Sequence, residues 1–193
     1  MPLSLKAIFT SFTFFLLFTS ILLQANEHQA PLKSSQWSYS IDPYGSKATL
    51  QNQLMTLEGV WIHFKRIPRI DEQRNSWIEL IYSPGNVSLA HRKKISLTYK
   101  CDTPLLVKLS QDNYGKDGDK SYAYYQRRLP KATEWTTKEV YFTNFSRPHW
   151  TPTYSKDQGM LLEKVNAIYL TPSMTDAAGG EATLEIKYLK ILP

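Results

Sequence analysis

The chain has 193 residues, with 23 Lys and Arg against 17 Asp and Glu, and a formal net charge of +6. This length predicts one domain once a leader is removed, and the single cysteine, Cys101, excludes an internal disulfide. The basic residues are spread along the chain and form no recognised nucleic-acid-binding motif, so we do not expect a nucleic acid partner.

Residues 1–25 have the pattern of an export signal. Lys6 is their only charged residue, an apolar run covers residues 7–23, and Ala25 precedes a polar stretch. Signal peptidase recognises a basic start, an apolar middle and a small residue at the end. We therefore predict a signal peptide at 1–25, a mature domain at 26–193, and a secreted or periplasmic location without stable membrane insertion. The alternative is an uncleaved anchor, because the apolar run approaches the length that spans a bilayer.

The mature region contains short runs rich in β-branched and aromatic residues, without a long stretch of helical periodicity. The clearest runs are 60–64, 77–82, 95–100, 105–109, 122–128, 139–142, 165–170 and 182–191. In the third run Ile95, Leu97 and Tyr99 alternate with polar residues, which predicts a strand with one buried face. About eight to ten such strands predict an all-β fold, a two-sheet antiparallel jelly-roll sandwich.

The segments between these runs are rich in turn-forming residues. Residues 83–86 and 176–180 predict turns, and residues 113–120 predict a polar hairpin tip. Residues 145–159 form a longer segment that contains aromatic residues and prolines. Loops of this length often carry function.

The chain lacks the common enzyme motifs. It contains no G-x-S-x-G, H-E-x-x-H or phosphate loop, and its four histidines have no metal-ligand spacing. A glycosidase needs two carboxylates that face each other across a cleft, and a sequence does not show which carboxylates meet. The candidates are Glu79, Glu134, Glu139, Asp157 and Glu163. We interpret Cys101, at the end of a strand-like run, as a buried small hydrophobic residue rather than a catalytic thiol.

Several aromatic residues stand in polar surroundings. They are Tyr114, Tyr122, Tyr124, Trp150 and Tyr154. The apolar C–H faces of sugars stack on aromatic rings, while their hydroxyls need polar partners, so amphipathic aromatics suit a sugar site. The alternative for each of them is a place in the core. Trp77 and Trp135, each beside a predicted strand, are interpreted as structural.

The order of these segments resembles the galactose-binding-like jelly rolls, and among them the family 11 carbohydrate-binding modules. The resemblance extends from Trp37 to Ile191. The matching segments are 37–40, 94–97, 129–136, 140–145, 165–168 and 184–191. The resemblance implies a jelly-roll fold and a non-catalytic protein that binds a polysaccharide, such as a β-glucan, in a groove.

Two of the family's ligand contacts have partial counterparts in the loops. The family's Asp-Gly-Glu-His loop resembles the segment from Asp117 to Lys120, which keeps the first Asp and replaces the His with Lys. The family's Arg, followed three positions later by Tyr, resembles Arg147 and Trp150. The resemblance therefore implies that Trp150 stacks on a sugar face and that Asp117, Lys120 and Arg147 bind hydroxyls.

A third contact has a counterpart in a strand. The family's Asp-Ser-Ile-His segment resembles the segment from Asn166 to Tyr169, with an amide in place of the carboxylate. The resemblance implies that Asn166 binds hydroxyls and that Tyr169 is a ligand residue. Tyr122 and Tyr124 share one face of a predicted strand, and Tyr125 takes the other face. We expect the strands at 122–128 and 165–170 to form the walls of the groove, with Tyr122 and Tyr124 as additional ligand residues.

Two departures from the family pattern concern binding and metal. Asn75 and Ser76 replace the family's Asp-Gly-Tyr contact. Lys187 stands where the family's last strand carries the Asp of its calcium site, and residues 33–35 replace the acidic residues at its start. An ammonium group cannot ligate a cation, so we predict that this calcium site is absent and that the protein needs no cofactor. Residues 117–119 are interpreted as a turn rather than a calcium loop.

Three functions remain open at this stage. Binding of a polysaccharide or oligosaccharide is the first, and it favours a protein that is not an enzyme. The second is a protein-interaction module that docks a partner of the cell envelope. The third is a polysaccharide lyase or hydrolase, because a fold does not fix a function.

Overall fold

The computed structural model describes three stretches of the chain: 32–111, 124–157 and 159–193. The described residues cluster into one compact unit. The predicted signal peptide at 1–25 and the predicted hairpin tip at 113–120 lie outside the described residues. Within the described ranges, no helix is both long and apolar enough to cross a membrane.

The described residues form two antiparallel sheets and three short 3-10 helices. The strands are β1 (Trp37–Ile41), β2 (Lys47–Thr49), β3 (Met55–Thr56), β4 (Gly59–Arg66), β5 (Ile78–Tyr82), β6 (Lys94–Cys101), β7 (Leu105–Gln111), β8 (Tyr125–Leu129), β9 (Ala132–Tyr141), β10 (Val165–Pro172) and β11 (Gly180–Leu192). The 3-10 helices are Ser34–Gln36, Phe142–Asn144 and Leu162–Lys164. Sheet A has the order β1-β5-β10-β7-β8, and sheet B has the order β2-β4-β11-β6-β9, with β3 paired to β4.

Strand β6 shows why these segments form strands with two unlike faces. Ile95, Leu97 and Tyr99 are fully buried, and the residues between them are half-buried. The Tyr99 hydroxyl donates a hydrogen bond to the Pro130 carbonyl at 2.6 Å. Burial raises the pKa of Tyr99 to about 12. The alternation predicted for residues 95–100 is confirmed.

One core holds the two sheets together. Its fully buried side chains come from both of them and include Ile78, Leu80, Leu105, Leu109, Ile168, Ile62, Phe64 and Leu97. Cys101 belongs to this core with 1% of its surface exposed, and burial raises the pKa of its thiol. The prediction of a two-sheet all-β jelly roll and that of a buried Cys101 are both confirmed.

Strand β9 differs most from the sequence prediction. It begins at Ala132, so residues 134–136, for which the resemblance implies a turn, lie inside a strand. Trp135 is not a core residue as expected, because its side chain is 38% exposed. Most of β9 is exposed because it lies at the edge of sheet B. An exposed edge strand carries polar residues on both faces, and its sequence therefore lacks the alternation that predicts a strand.

Strand ends and short strands account for the remaining differences. The segment at 140–145, which resembles a strand of the family, contains the last two residues of β9 and continues as the short helix Phe142–Asn144. Strands β2 and β3 were not predicted, because runs of three and two residues are too short to show a period.

Gly59 begins β4 where this strand passes close to β11. Its φ of 130° lies in a region that side chains rarely adopt, and a Cβ there would approach the Ile186 carbonyl oxygen to 2.3 Å. The pairing of β11 with β6 shifts register between Ile186 and Tyr188. A glycine is therefore required beside the bulge that carries Lys187.

Candidate functional site

The outer face of sheet A carries polar and aromatic side chains across four strands. In register, Ile81 on β5 is opposite Tyr169 on β10, Tyr169 is opposite Lys108 on β7, and Lys108 is opposite Gln126 on β8. Side chains of a strand alternate between its two faces. The strand neighbours of Ile81, Tyr169 and Lys108 are buried in the core, so these three side chains point outward. Gln126 shares their face because it is in register with Lys108.

A shielded ion pair lies on this face. The Lys108 ammonium is 2.6 Å from a Glu79 carboxylate oxygen, and both side chains are only 18% exposed. The same ammonium lies 5.9 Å from the centroid of the Tyr169 ring. Partial burial strengthens such a pair, which holds both long side chains in place beside the ring.

Tyr124, a predicted ligand residue, lies beside Tyr169 on this face. The Tyr124 and Tyr169 ring centroids are 6.4 Å apart, with their planes inclined at 43°. The strands at 122–128 and 165–170 are not direct neighbours, however, because β7 lies between β8 and β10. Lys108 on β7, between these two strands, is not among the residues predicted from the sequence. The only sequence feature that distinguishes Lys108 is its position as a single lysine in the apolar run of β7.

Trp77 directly precedes β5 and continues the outward alternation of Glu79 and Ile81. It is 39% exposed, so it is not a core residue. Asn75, two residues before Trp77, accepts a hydrogen bond from Arg66, whose guanidinium also contacts Asp176 at 2.6 Å. We name Trp77, Glu79, Lys108, Tyr124 and Tyr169 the sheet A face.

The long loop after β9 attaches to the outer edge of sheet A. Ser146 and Gln126 exchange two backbone hydrogen bonds of 2.9 and 3.0 Å. Arg147 lies 3.6 Å from Asp157, whose carboxylate also accepts a hydrogen bond from the Tyr125 hydroxyl at 2.8 Å. Tyr125 packs against the core. Arg147 is therefore held on the Tyr125 side of β8, whereas Tyr124 contacts Tyr169 on the outer side.

The other predicted ligand residues occupy different positions. Trp150 is 53% exposed in the long loop. Asn166 is exposed at a register shift of β10, between Val165 and Ala167. The remaining predicted ligand residues, Asp117, Lys120 and Tyr122, lie outside the described residues.

The described residues show no cluster of metal-ligating side chains. None of their His, Cys, Asp and Glu side chains form a group of three that could hold a metal ion. Asp42, a buried carboxylate, accepts backbone hydrogen bonds from Tyr44 and Trp77 at 2.8 and 3.0 Å. Burial raises its pKa, but hydrogen bonds from Ser46 and from these backbone amides outweigh that effect and lower it. The absence of a family calcium site stays a prediction.

Two of the candidate catalytic carboxylates lie on different sheets, each beside a lysine. Glu79 lies on sheet A with Lys108, while Glu139 lies on sheet B, 2.8 Å from Lys94. The Lys94 ammonium lowers the pKa of Glu139. A glycosidase needs two carboxylates across one cleft, and these two belong to different sheets.

Comparison with known proteins identifies the fold. No protein-family model matches the chain, and no curated protein matches it either. A family 11 carbohydrate-binding module from Clostridium thermocellum, solved with a β-1,3-1,4-mixed-linked tetrasaccharide, superposes with a TM-score of 0.57 at 16% identity, over 83% of this chain and 90% of the module. A family 11 module of a cellulosomal cellulase from Clostridium thermocellum gives 0.55 at 15% identity, over 86% of this chain and 90% of the module.

These similarities confirm the predicted resemblance at the level of the fold. The chain has the two-sheet jelly-roll architecture of the family 11 modules. At such low identity the shared architecture does not fix a ligand.

Proposed function

We propose that this protein is a non-catalytic carbohydrate-binding protein and that its ligand lies on the sheet A face. The observation that carries the proposal is the contact between the Tyr124 and Tyr169 rings beside the Glu79–Lys108 ion pair. Aromatic rings next to fixed polar groups are the combination that sugars require, because a sugar ring has apolar C–H faces and hydroxyl edges.

Each group of the face has a role in this proposal. The Tyr124 and Tyr169 rings stack on successive sugars. The Glu79 carboxylate accepts hydrogen bonds from sugar hydroxyls, and the Lys108 ammonium donates to them. The ion pair holds these groups in place before the ligand arrives, which lowers the entropic cost of binding. We expect dissociation constants from about micromolar to about millimolar, because an open face buries little surface.

We propose a neutral β-glucan as the ligand class. The charges of Glu79 and Lys108 cancel, so the centre of the face carries no net charge that would favour a charged polymer. A module with the same fold was solved with a β-1,3-1,4-mixed-linked tetrasaccharide, which makes mixed-linked glucan the first ligand to test.

Affinity electrophoresis in gels containing mixed-linked β-glucan, xylan or mannan tests this proposal. We expect retardation in the β-glucan gel, and we expect Tyr169→Ala to weaken binding at least about tenfold, or about 1.4 kcal/mol. Tyr44→Ala, which removes a ring of 41% exposure from a turn, is the matched control. Equal binding by wild type and Tyr169→Ala would contradict the assignment of the face. Lack of retardation in every gel would contradict carbohydrate binding and favour a protein partner of the cell envelope.

We also propose that the protein acts outside the cytoplasm, in the periplasm or the medium. The proposal rests on the sequence pattern of residues 1–25. Expression of the full chain, followed by cell fractionation and N-terminal sequencing, should give an exported protein that begins at Asn26. A full-length protein that stays in the membrane fraction would favour the uncleaved anchor.

A further inference from the structure

The outer face of sheet B carries a second group of aromatic and charged residues. In register, Trp61 on β4 is opposite Glu185 on β11, and Glu185 is opposite Lys100 on β6. Trp135 on β9 lies beyond Lys100 and is 38% exposed. Together with Lys187, these residues define what we name the sheet B face.

Two ammonium groups share one ring on this face. Lys100 Nζ lies 4.7 Å from the centroid of Trp135, and Lys187 Nζ lies 5.6 Å from the same centroid. Two like charges near one point repel each other. The electron-rich ring offsets part of this repulsion, and Glu185, 3.9 Å away, balances only Lys100. The ring therefore concentrates positive charge at one place.

The surrounding surface is also cationic. The ion pairs of Lys65 with Glu181, Lys94 with Glu139 and Lys100 with Glu185 neutralise three lysines of sheet B. Four others, Lys47, Lys138, Lys187 and Lys190, form no ion pair with any described residue. The face thus has an excess of positive charge, in contrast to the neutral centre of the sheet A face.

The geometry points to a second binding site, on the sheet B face, for an anionic polysaccharide that carries carboxylate or sulfate groups. Lys187 and Lys100 contact the anionic groups, Trp135 positions both ammonium groups, and Trp61 and Trp135 offer rings to the sugars at either end. Strands β4 and β9 are separated by two strands, so these rings are about 14 Å apart. A chain of sugars spans that distance, whereas a single anion does not.

The test is binding to polygalacturonate and to dextran sulfate, with neutral dextran as the blank. We expect retention of wild type by at least one anionic polymer, and the polymer that retains it identifies the anion. Trp135→Ala and Lys187→Gln should each weaken retention at least about fivefold. Lys138→Gln removes one charge from the same edge strand and should change binding less than about twofold. Unchanged urea midpoints and unchanged binding by the sheet A face show that each variant is folded.

Three results would overturn the proposal. Failure of both anionic polymers to retain wild type at low salt is the first. Equal losses in Lys187→Gln and Lys138→Gln, with none in Trp135→Ala, would show diffuse charge attraction rather than a site. Binding to vesicles of anionic phospholipid that depends on Trp135 more than polysaccharide binding does would assign the face to a membrane surface.

Discussion

The outer faces of the two sheets use the same pleated framework for different electrostatics. On the sheet A face, Glu79 and Lys108 neutralise each other and both are 18% exposed. On the sheet B face, the Lys100–Glu185 pair is longer, 3.9 Å, and both partners are about 30% exposed. The difference teaches that a sandwich can present a neutral, preorganised aromatic surface on one side and a cationic aromatic surface on the other.

The largest expected difference in stability is between the shielded Glu79–Lys108 pair of sheet A and the exposed Lys65–Glu181 pair of sheet B. Glu79→Ala leaves the Lys108 ammonium shielded from water without a partner, and we expect it to lower the free energy of unfolding by about 2 kcal/mol. Glu181→Ala on sheet B breaks an exposed pair with Lys65 and should leave the unfolding free energy unchanged within error. Urea unfolding of both variants measures the difference. Equal losses would show that the Glu79–Lys108 pair is not shielded as described.

The turn that supports Trp77 should give a smaller, pH-dependent effect. The Asp42 carboxylate accepts a hydrogen bond from the Trp77 backbone amide, and the pKa of Asp42 in the fold lies below its ordinary value of 3.8. A lowered pKa means that this stabilisation is complete above pH 3.8 and is lost as the pH falls through the folded value. Asp42→Asn should cost about 1 kcal/mol at neutral pH.

Urea midpoints measured between about pH 6 and about pH 2 test this prediction. The curves of wild type and Asp42→Asn should converge at the acid end. A constant difference across the range would contradict a role for the ionised Asp42 carboxylate.

The smallest expected effect concerns Arg147, which is held by Asp157 on the Tyr125 side of β8. We expect Arg147→Ala to weaken glucan binding by less than about threefold, because removal of a residue outside the stacking surface changes few ligand contacts. Titration calorimetry measures the dissociation constants of Arg147→Ala and Tyr169→Ala for the glucan under the same conditions. A loss as large as that of Tyr169→Ala would restore Arg147 as a direct ligand residue, as the family resemblance implies.

The sequence predicts the sheets better than it predicts the face. The alternation of Ile95, Leu97 and Tyr99 records burial on one side of β6, so period alone identifies the strand. Glu79 and Lys108 are 29 residues apart and meet across β10, which comes later in the chain than either of them. Such a contact depends on the order of the strands in the sheet, and the alternation of residues along one strand does not show that order.

The sequence also does not show which side of the sheet a tryptophan faces. Trp77 and Trp135 flank or occupy strands, and an aromatic residue in such a position packs in the core when it points inward. A shift of one residue in the register reverses that direction. Tyr124 and Tyr169 stay predicted ligand residues, and the prediction rests on a polar strand and on a segment that resembles a ligand contact of the family.

The indole N–H signals of the protein test the central claim most directly. The chain has five tryptophans, so a ¹H–¹⁵N spectrum contains five such signals, which Trp→Phe variants assign. On addition of a β-1,3-1,4-mixed-linked tetrasaccharide, we predict that the Trp77 signal shifts while the signals of Trp61 and Trp135 stay in place. Shifts of Trp61 and Trp135 without a shift of Trp77 would contradict the account, because the neutral glucan would then lie on sheet B.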